Sequence, residues 1–490
     1  MFIRDKISNI GLILGPLFFI SFISFAPPEN LSLVGWYTAG LAILMTTWWV
    51  TEAVPIYVTG LVPLIICPLL GMFDLKDIAA SYSHPLVLLF LGGFIIASAM
   101  EQSGLHKRIA LKILTFSGTS PAKIIAGFMI TTALLSMWVS NTASTIMMLP
   151  IASSVITMFS SKSLKKDYNF AIPLLLAIAY SASIGGTATL IGTPTNIMLA
   201  SILSDTYNYH ISFVDWLVIG LPVVVILIPI VWFFLTKIIF QVSNKNSNIL
   251  DKTLSKFKKE IGKVKLKEKI VGIIFFLTAT LWIFRRTLND IFELKLNDTS
   301  IGLLGALLLF IIPAENNKRV CNWEVANRIP WGVLFLVGGG IALSKAFQTS
   351  GLAVWIGSFS NYFYHLNVYL LLFISVAIII FLTELNSNTA TVATFTPILI
   401  VFAIGLETNP LFFVIPTTIA ASCAFMLPIA TPPNAVVFGS GKINIHEMVK
   451  SGVRLNVVSI FTVTILCIII LNIFLNINIH DVPDWVNKKI

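Results

Sequence analysis

Long apolar runs cut by short polar islands set the pattern of this chain. A bilayer core calls for about 20 consecutive apolar helical residues, fewer where a helix is broken or re-entrant. By that measure spans are expected at about 8–26, 35–51, 54–70, 85–104, 170–205, 215–240, 270–285, 299–313, 330–350, 409–440 and 452–478. Two further apolar segments, 121–158 and 367–403, each carry a polar island. Ser140-Asn141-Thr142 lies in the first and Ser387-Asn388-Thr389 in the second, 247 residues later; the prolines that follow, Pro150 and Pro397, keep the same offset. Polar groups in hydrocarbon are costly unless they are satisfied or functional. The two islands are therefore candidates for the two halves of one binding site.

Composition narrows the class. The chain has 490 residues, 57% hydrophobic and 11% charged, which is the make-up of an all-α polytopic membrane protein and excludes a water-soluble enzyme. A net charge of +10 would point to nucleic acid in a soluble protein. In a membrane protein basic residues gather in cytoplasmic loops instead, and no nucleic-acid partner is expected. Cys67, Cys423 and Cys467 lie in apolar stretches and Cys321 in a basic loop, so neither a disulfide framework nor a metal site is expected. The N-terminus has Arg4 and Lys6 before an apolar run to Phe25. No small-residue cleavage site follows, and a first transmembrane helix is the better reading than a signal peptide.

Charge also bears on topology. His106, Lys107, Arg108 and Lys112 precede the first island segment, and Lys162, Lys165 and Lys166 follow it. One crossing would place a basic cluster outside, whereas a hairpin that enters and leaves on one side keeps both in the cytoplasm. Treating both island segments as re-entrant leaves eleven crossings in the inner (plasma) membrane, with the N-terminus cytoplasmic and the C-terminus outside. The stretch 241–269, with nine lysines and three acids, is then a cytoplasmic linker. Arg285 and Arg286 fall outside, against the charge rule.

The offset extends further. Gly92-Gly93 matches Gly339-Gly340, Ser103-Gly104-Leu105 matches Ser350-Gly351-Leu352, and Ser136 matches Thr383. An odd number of crossings per repeat gives an inverted repeat, a transporter signature that places the substrate near the midplane. Duplication without shared chemistry is the alternative, but the matching positions are largely the polar ones. Each island is followed by a span with an internal break. One reads Gly185-Gly-Thr-Ala-Thr-Leu-Ile-Gly-Thr-Pro-Thr-Asn196 and the other Pro428-Ile-Ala-Thr-Pro-Pro-Asn434. Proline removes an N–H and glycine permits unusual backbone angles, so an unwound middle is expected, where freed backbone groups need protein or a cavity to satisfy them. A lone proline often only kinks a helix; two matched Thr-Pro-x-Asn breaks say more.

Hairpin tips facing unwound helices bring together carbonyl, hydroxyl and amide oxygens, suited to a small alkali cation. Helix N-termini beside them favour anions. The same Ser, Thr and Asn residues also make good helix caps, and the two roles are compatible. No Lys or Arg is near either island in sequence, and Glu384 is the one ionisable neighbour. It reads as a buried, paired structural carboxylate, or alternatively as a cation or proton ligand. Two similar clusters face to face suit a substrate with two anionic ends.

At this point the chain resembles the divalent-anion:sodium symporter family of dicarboxylate, citrate and sulfate carriers. The resemblance rests on both tripeptides, on Thr193-Pro-Thr-Asn196 and Thr431-Pro-Pro-Asn434, and on Trp48-Trp-Val-Thr-Glu-Ala-Val-Pro55; it covers about 10–480. It implies eleven spans, two opposed re-entrant hairpins, a homodimer and an elevator-like motion of a transport part against a scaffold. The scaffold parts would be 1–118 and 270–366, the transport parts 119–240 and 367–490, with 241–269 joining them. By the same resemblance Ser140, Asn141 and Thr142 would hold one substrate carboxylate and Ser387, Asn388 and Thr389 the other, with Thr431 and Pro432 lining the pocket. One sodium ion would sit on Ser136, Ser140, Asn141 and a carbonyl near Gly192. The second would sit on Thr383, Asn386, Asn388 and Ala430. Thr195 stands where the second break has Pro433. The expected function is sodium-coupled import of C4 dicarboxylates such as succinate, malate or fumarate, without an organic cofactor. A sodium-independent dicarboxylate exchanger and a citrate or sulfate carrier of the same fold are the near alternatives. A cation/proton antiporter would need a protonatable residue at the site, where only Glu384 is near. A membrane enzyme would need a motif such as His-Glu-x-x-His, which the six histidines do not form.

Overall fold

The computed structural model describes residues 2–160, 168–242, 249–315 and 318–487, and these are helical nearly throughout. Among the described residues eight helices are long and apolar enough to cross a membrane. The number is nine if Leu352–Phe363 and Val368–Thr383, bent by 120°, count as one span. Large apolar side chains such as Ile13, Phe276 and Phe461 are more than half exposed. On helices of this composition such faces belong against lipid, where the backbone is already satisfied within each helix. The chain is a multi-pass membrane protein.

Each island segment is a pair of helices. Pro121–Ser136 turns at 137–140 into Asn141–Ser160, and Val368–Thr383 turns at 384–387 into Asn388–Gly405. The incoming arms have 16 residues each. That is about 24 Å of helix against a hydrocarbon core of about 30 Å. Each incoming arm packs on the helix that precedes a break: Pro121–Ser136 on Tyr168–Gly186, and Val368–Thr383 on Leu411–Ala421.

The breaks fall where glycine and proline forecast them. Helix stops at Gly186 and restarts at Pro194, and it stops at Ala421 and restarts at Pro432. Thr193 and Thr431 are the N-caps, both extended, with proline in the first turn where its missing N–H costs nothing. The restarted helices then cross over. Pro194–Tyr207 packs against Asn388–Gly405 of the other half, and Pro432–Phe438 packs against Asn141–Ser160. Each hairpin is thereby backed by the broken helix of its own half and by the restart of the other.

The matched Ser-Gly-Leu triplets form the same turn twice. Pro85–Ser103 and Trp331–Thr349, 19 residues each, end beside Gly104 at φ 81° and Gly351 at φ 80°. Only glycine adopts this backbone without strain. The chain then enters Leu105–Leu114 and Leu352–Ser358.

One expectation needs correction and another gains detail. The stretch 54–70 is not one helix but Ile56–Thr59 and Val62–Leu69. Pro63 has no N–H for the Thr59 carbonyl four residues earlier, the Leu64 N–H turns to the Leu61 carbonyl at 3.2 Å, and the Gly60 carbonyl accepts instead from the Tyr82 hydroxyl at 2.5 Å. The span expected at 270–285 is Leu266–Phe292, and Arg285 and Arg286 lie within it. Both are paired with acids of other segments. Arg285 pairs with Asp298 at 3.2 Å and Arg286 with Asp215 at 2.8 Å, so the breach of the charge rule is neutralised locally. Arg108, from the basic stretch before the first hairpin, pairs with Glu268 at 2.5 Å and so ties Leu105–Leu114 to the start of Leu266–Phe292. Lys162, Lys165 and Lys166 lie outside the described residues. All four cysteines are buried and free.

Candidate functional site

The hairpin tips and the breaks meet at one cavity of about 950 Å³. Its wall holds Ser140, Asn141 and Thr142 from one tip, Ser387, Asn388 and Thr389 from the other, Gly192 from the first break, and Ala430, Thr431 and Pro432 from the second. Residues 247 positions apart are thus brought face to face. Ser136 and Thr383 lie beneath the tips, fully buried. Asn386 is not on the wall. With its amide nitrogen donating, it reaches the carbonyls of Leu385 at 3.2 Å and Val50 at 3.3 Å.

The two buried hydroxyls have the same surroundings. Ser136 Oγ lies against Asn141 Oδ1 and 2.7 Å from the Ala182 carbonyl. Thr383 Oγ1 lies 2.6 Å from Asn388 Oδ1 and 2.8 Å from the Ala421 carbonyl. A hydroxyl carries one proton, so one of its two acceptors in each cluster lacks a donor from it. Oxygen-rich and donor-poor clusters of this kind are what a hard cation satisfies. Above them the outgoing helices begin at Asn141 and Asn388, so backbone N–H groups and helix dipoles are set at the cavity. Ser140 caps its helix by accepting from the Ala143 N–H at 3.2 Å. Ser387 is the N-cap by position, but its side chain makes no capping bond.

Asparagines close both breaks. Asn196 Nδ2, fully buried, lies 2.7 Å from the Thr189 carbonyl and 3.3 Å from those of Gly186 and Thr187. Asn434 Nδ2 donates to Ala424 and Leu427 at 3.0 Å each. This accounts for the asparagine of each Thr-Pro-x-Asn stretch, because freed carbonyls need donors. The Thr189 hydroxyl donates to the Met137 carbonyl at 2.5 Å and pins the first break to the first tip. A methyl group on Gly186 would fall 2.5 Å from Asn141 Oδ1, so this asparagine rests directly on the break. Thr195 lies 3.2 Å from the Ser422 hydroxyl; the residue that sets the first break apart from the second links the two. The Tyr180 hydroxyl donates to the Phe425 carbonyl at 2.8 Å across the same boundary.

Glu384 is buried, at 2% exposure. Its carboxylate accepts from the N–H groups of Phe425, Met426 and Leu427 and from Asn456 Nδ2, all between 2.6 and 3.0 Å. The cavity wall also carries three charges that were not among the expected site residues: Glu52, Glu101 and Arg328. Arg328 follows the short helix Trp323–Asn327, far in sequence from either tripeptide, and no local pattern marks it. Trp138 and Ser183 join the wall as well; neither was among the expected site residues, although Trp138 stands only two residues before the first tripeptide.

Residues 8–477 match the family model described as the sodium:sulfate symporter transmembrane region. The sodium-dependent dicarboxylate transporter SdcS of Staphylococcus saprophyticus is 40% identical over 489 residues, covering 95% of this chain and 93% of the relative. Its namesake in Staphylococcus aureus is 39% identical over 482 residues, covering 96% and 93%. Among solved structures, Neisseria gonorrhoeae MtrF, described with a class of antimetabolite efflux pumps, aligns with TM-score 0.56 at 13% identity, covering 86% of this chain and 96% of that one. The Alcanivorax borkumensis YdaH transporter aligns with TM-score 0.52 at 13% identity, covering 80% and 87%. At that identity the two structures speak for the fold alone.

Proposed function

This chain belongs to the sodium:sulfate symporter family, and on that premise we propose that it imports C4 dicarboxylates such as succinate, malate or fumarate together with sodium ions. It is a transporter, as its family is, and not an enzyme. The observation that carries the reading is the single cavity onto which both tripeptides and both breaks open. The relatives at 39–40% identity, both sodium-dependent dicarboxylate transporters by name, support the choice of substrate and coupling ion.

In this reading each tripeptide holds one carboxylate of the substrate. Ser140, Asn141 and Thr142 serve one end, Ser387, Asn388 and Thr389 the other, and Thr431 and Pro432 close the wall. Hydroxyl and amide donors and the two helix N-termini take up the charge, so neither tripeptide has a fixed cation of its own to be stripped of substrate at release. Sodium travels as cargo in the two donor-poor oxygen clusters. One uses Ser136, Ser140, Asn141 and the carbonyl at Gly192; the other uses Thr383, Asn386, Asn388 and Ala430, with the Asn386 amide nitrogen turned to Val50. Because the tips close on the same oxygens that bind the ion, sodium and substrate order one another, and coupling follows from that shared structure.

The wider architecture belongs to the same proposal: eleven crossings with two re-entrant hairpins, an inverted repeat joined through 241–269, and a homodimer in the plasma membrane with the N-terminus cytoplasmic and the C-terminus outside. The parts 119–240 and 367–490 would move as the elevator against 1–118 and 270–366. The crossed packing of each restart on the opposite hairpin supports treating the two transport parts as one moving body. Purified protein in liposomes should accumulate labelled succinate along an inward sodium gradient. Equal uptake in sodium-free buffer refutes the coupling, and uptake that requires internal dicarboxylate makes the protein an exchanger. A competition panel of succinate, malate, citrate, sulfate and 2-oxoglutarate identifies the substrate, and citrate or sulfate outcompeting succinate would overturn the C4 choice.

A further inference from the structure

The two half-sites are alike in their hydroxyls and unlike in one charge. The position that the 247-residue offset pairs with Glu384 is Met137. At the first tip the clasp on the break is neutral: the Thr189 hydroxyl donates to the Met137 carbonyl. At the second tip the clasp is a carboxylate. Glu384 Oε1 accepts from Phe425 N–H at 2.6 Å, Met426 N–H at 2.8 Å and Asn456 Nδ2 at 2.7 Å, and Oε2 accepts from Leu427 N–H at 3.0 Å. Three successive backbone N–H groups converging on one side chain form an anion-binding concavity, and four donors with no acceptor among them fit an ionised carboxylate. All four donors are neutral, and among the described residues no Lys, Arg or His forms an ion pair with it. Its negative charge is therefore held in place without being cancelled. Glu384 directly follows Thr383, whose hydroxyl anchors the second oxygen cluster.

The geometry points to Glu384 as a positioning residue that makes the second cation site the tighter of the two. The assignment rests on the sodium reading above. The carboxylate does two things. It fixes the backbone of the second break against the second tip, and it lends that cluster a negative charge where the matching position of the first tip is the uncharged Met137. A unit charge about 10 Å from a cation, at an effective dielectric near 20, changes its binding on the order of tenfold. The two ions should accordingly load in order, the second half-site filling first and ordering Asn388 before the first half-site and the dicarboxylate bind.

Sodium-dependent thermal stabilisation of the purified full-length protein tests this, with no dicarboxylate present and potassium holding ionic strength constant. Glu384→Gln should raise the sodium half-saturation of the tighter phase roughly tenfold, whereas Glu384→Asp, which keeps the charge, should stay within about threefold of the original protein. Asn456→Ala removes a donor but not the charge. It should lower the melting temperature in potassium while leaving the sodium half-saturation within about threefold. Glu384→Gln with an unchanged half-saturation overturns the assignment, and so does Asn456→Ala shifting sodium as far as Glu384→Gln does, since the role would then be structural. If Glu384→Gln does not fold, the Asp and Asn456 variants decide: a tenfold shift in either refutes the charge argument. No sodium response in the unaltered protein removes the sodium reading itself, and this assignment with it, before any variant is compared.

Discussion

Adding one methyl group at Gly186 tests the site without altering any residue proposed to touch substrate or ion. A Cβ at this position would stand 2.5 Å from Asn141 Oδ1, 3.0 Å from its Nδ2 and 3.1 Å from the Gly192 carbonyl. Ordinary contact begins near 3.4 Å, so the Asn141 amide has to retreat by about 0.9 Å. It cannot retreat freely, because its Oδ1 is engaged by the buried Ser136 hydroxyl. Overpacking of this sort costs about 1–3 kcal/mol, and a misplacement of about 1 Å in a positioned ligand can cost on the order of a hundredfold in rate. Gly186→Ala should therefore reduce sodium-driven succinate uptake by a factor of about 100 while the protein still elutes as a single species in detergent. Gly93→Ala is the control. Its methyl would meet Ile191 at 3.5–3.6 Å, ordinary contact on the same cavity wall, and uptake should be unchanged. Assayed side by side in liposomes with purified, monodisperse protein, equal activity in the two variants would refute the stacking of Asn141 on the first break as a requirement for transport.

Three further outcomes follow from the geometry. Ser140→Ala should lower the melting temperature, through loss of a cap worth about 1 kcal/mol, and weaken substrate affinity, whereas Ser387→Ala, which has no capping bond to lose, should weaken affinity alone; thermal shift and uptake measured on the same preparations separate these. Arg285→Ala strands the buried Asp298 carboxylate and should destabilise the protein by about 2–4 kcal/mol, while Arg286→Ala breaks a pair whose arginine is 64% exposed and should cost under about 1 kcal/mol, both read by thermal denaturation in detergent. Arg328→Gln removes an exposed cation from the cavity wall and should lower initial uptake rates a few-fold at low ionic strength, with the difference fading as salt screens it; a salt-independent loss would mean that Arg328 acts by contact rather than by attraction.

The linear pattern was enough for a membrane-embedded, all-helical chain and for two polar islands that matter. Hydrocarbon penalises every unpaired polar group, so Ser140-Asn141-Thr142 and Ser387-Asn388-Thr389 stand out in any reading of their surroundings. Proline and glycine act through their own backbone chemistry, and for that reason the breaks before Pro194 and Pro432 were also visible in advance, whereas Gly104 and Gly351 stood out only as matched positions of the repeat. The interruption at Gly60 was missed because an apolar run signals burial without saying whether the helix inside it continues. That Arg285 and Arg286 are paired was not legible along the chain, because their partners, Asp298 and Asp215, come from other segments.

What tertiary structure alone decided is which groups meet. Nothing local says that Asn386 turns to Val50, that Thr195 reaches Ser422, or that Arg328 shares a wall with both tripeptides. Nor does the string around Glu384 reveal that its charge is met only by neutral donors, since three of those come from a break some 40 residues on and the fourth from Asn456. Helix periodicity and the cost of polar burial act over a few residues and can be read along the chain. The pairing of one helix end with another depends on how whole helices pack, and in this protein that packing turns two separate tripeptides into a single cavity.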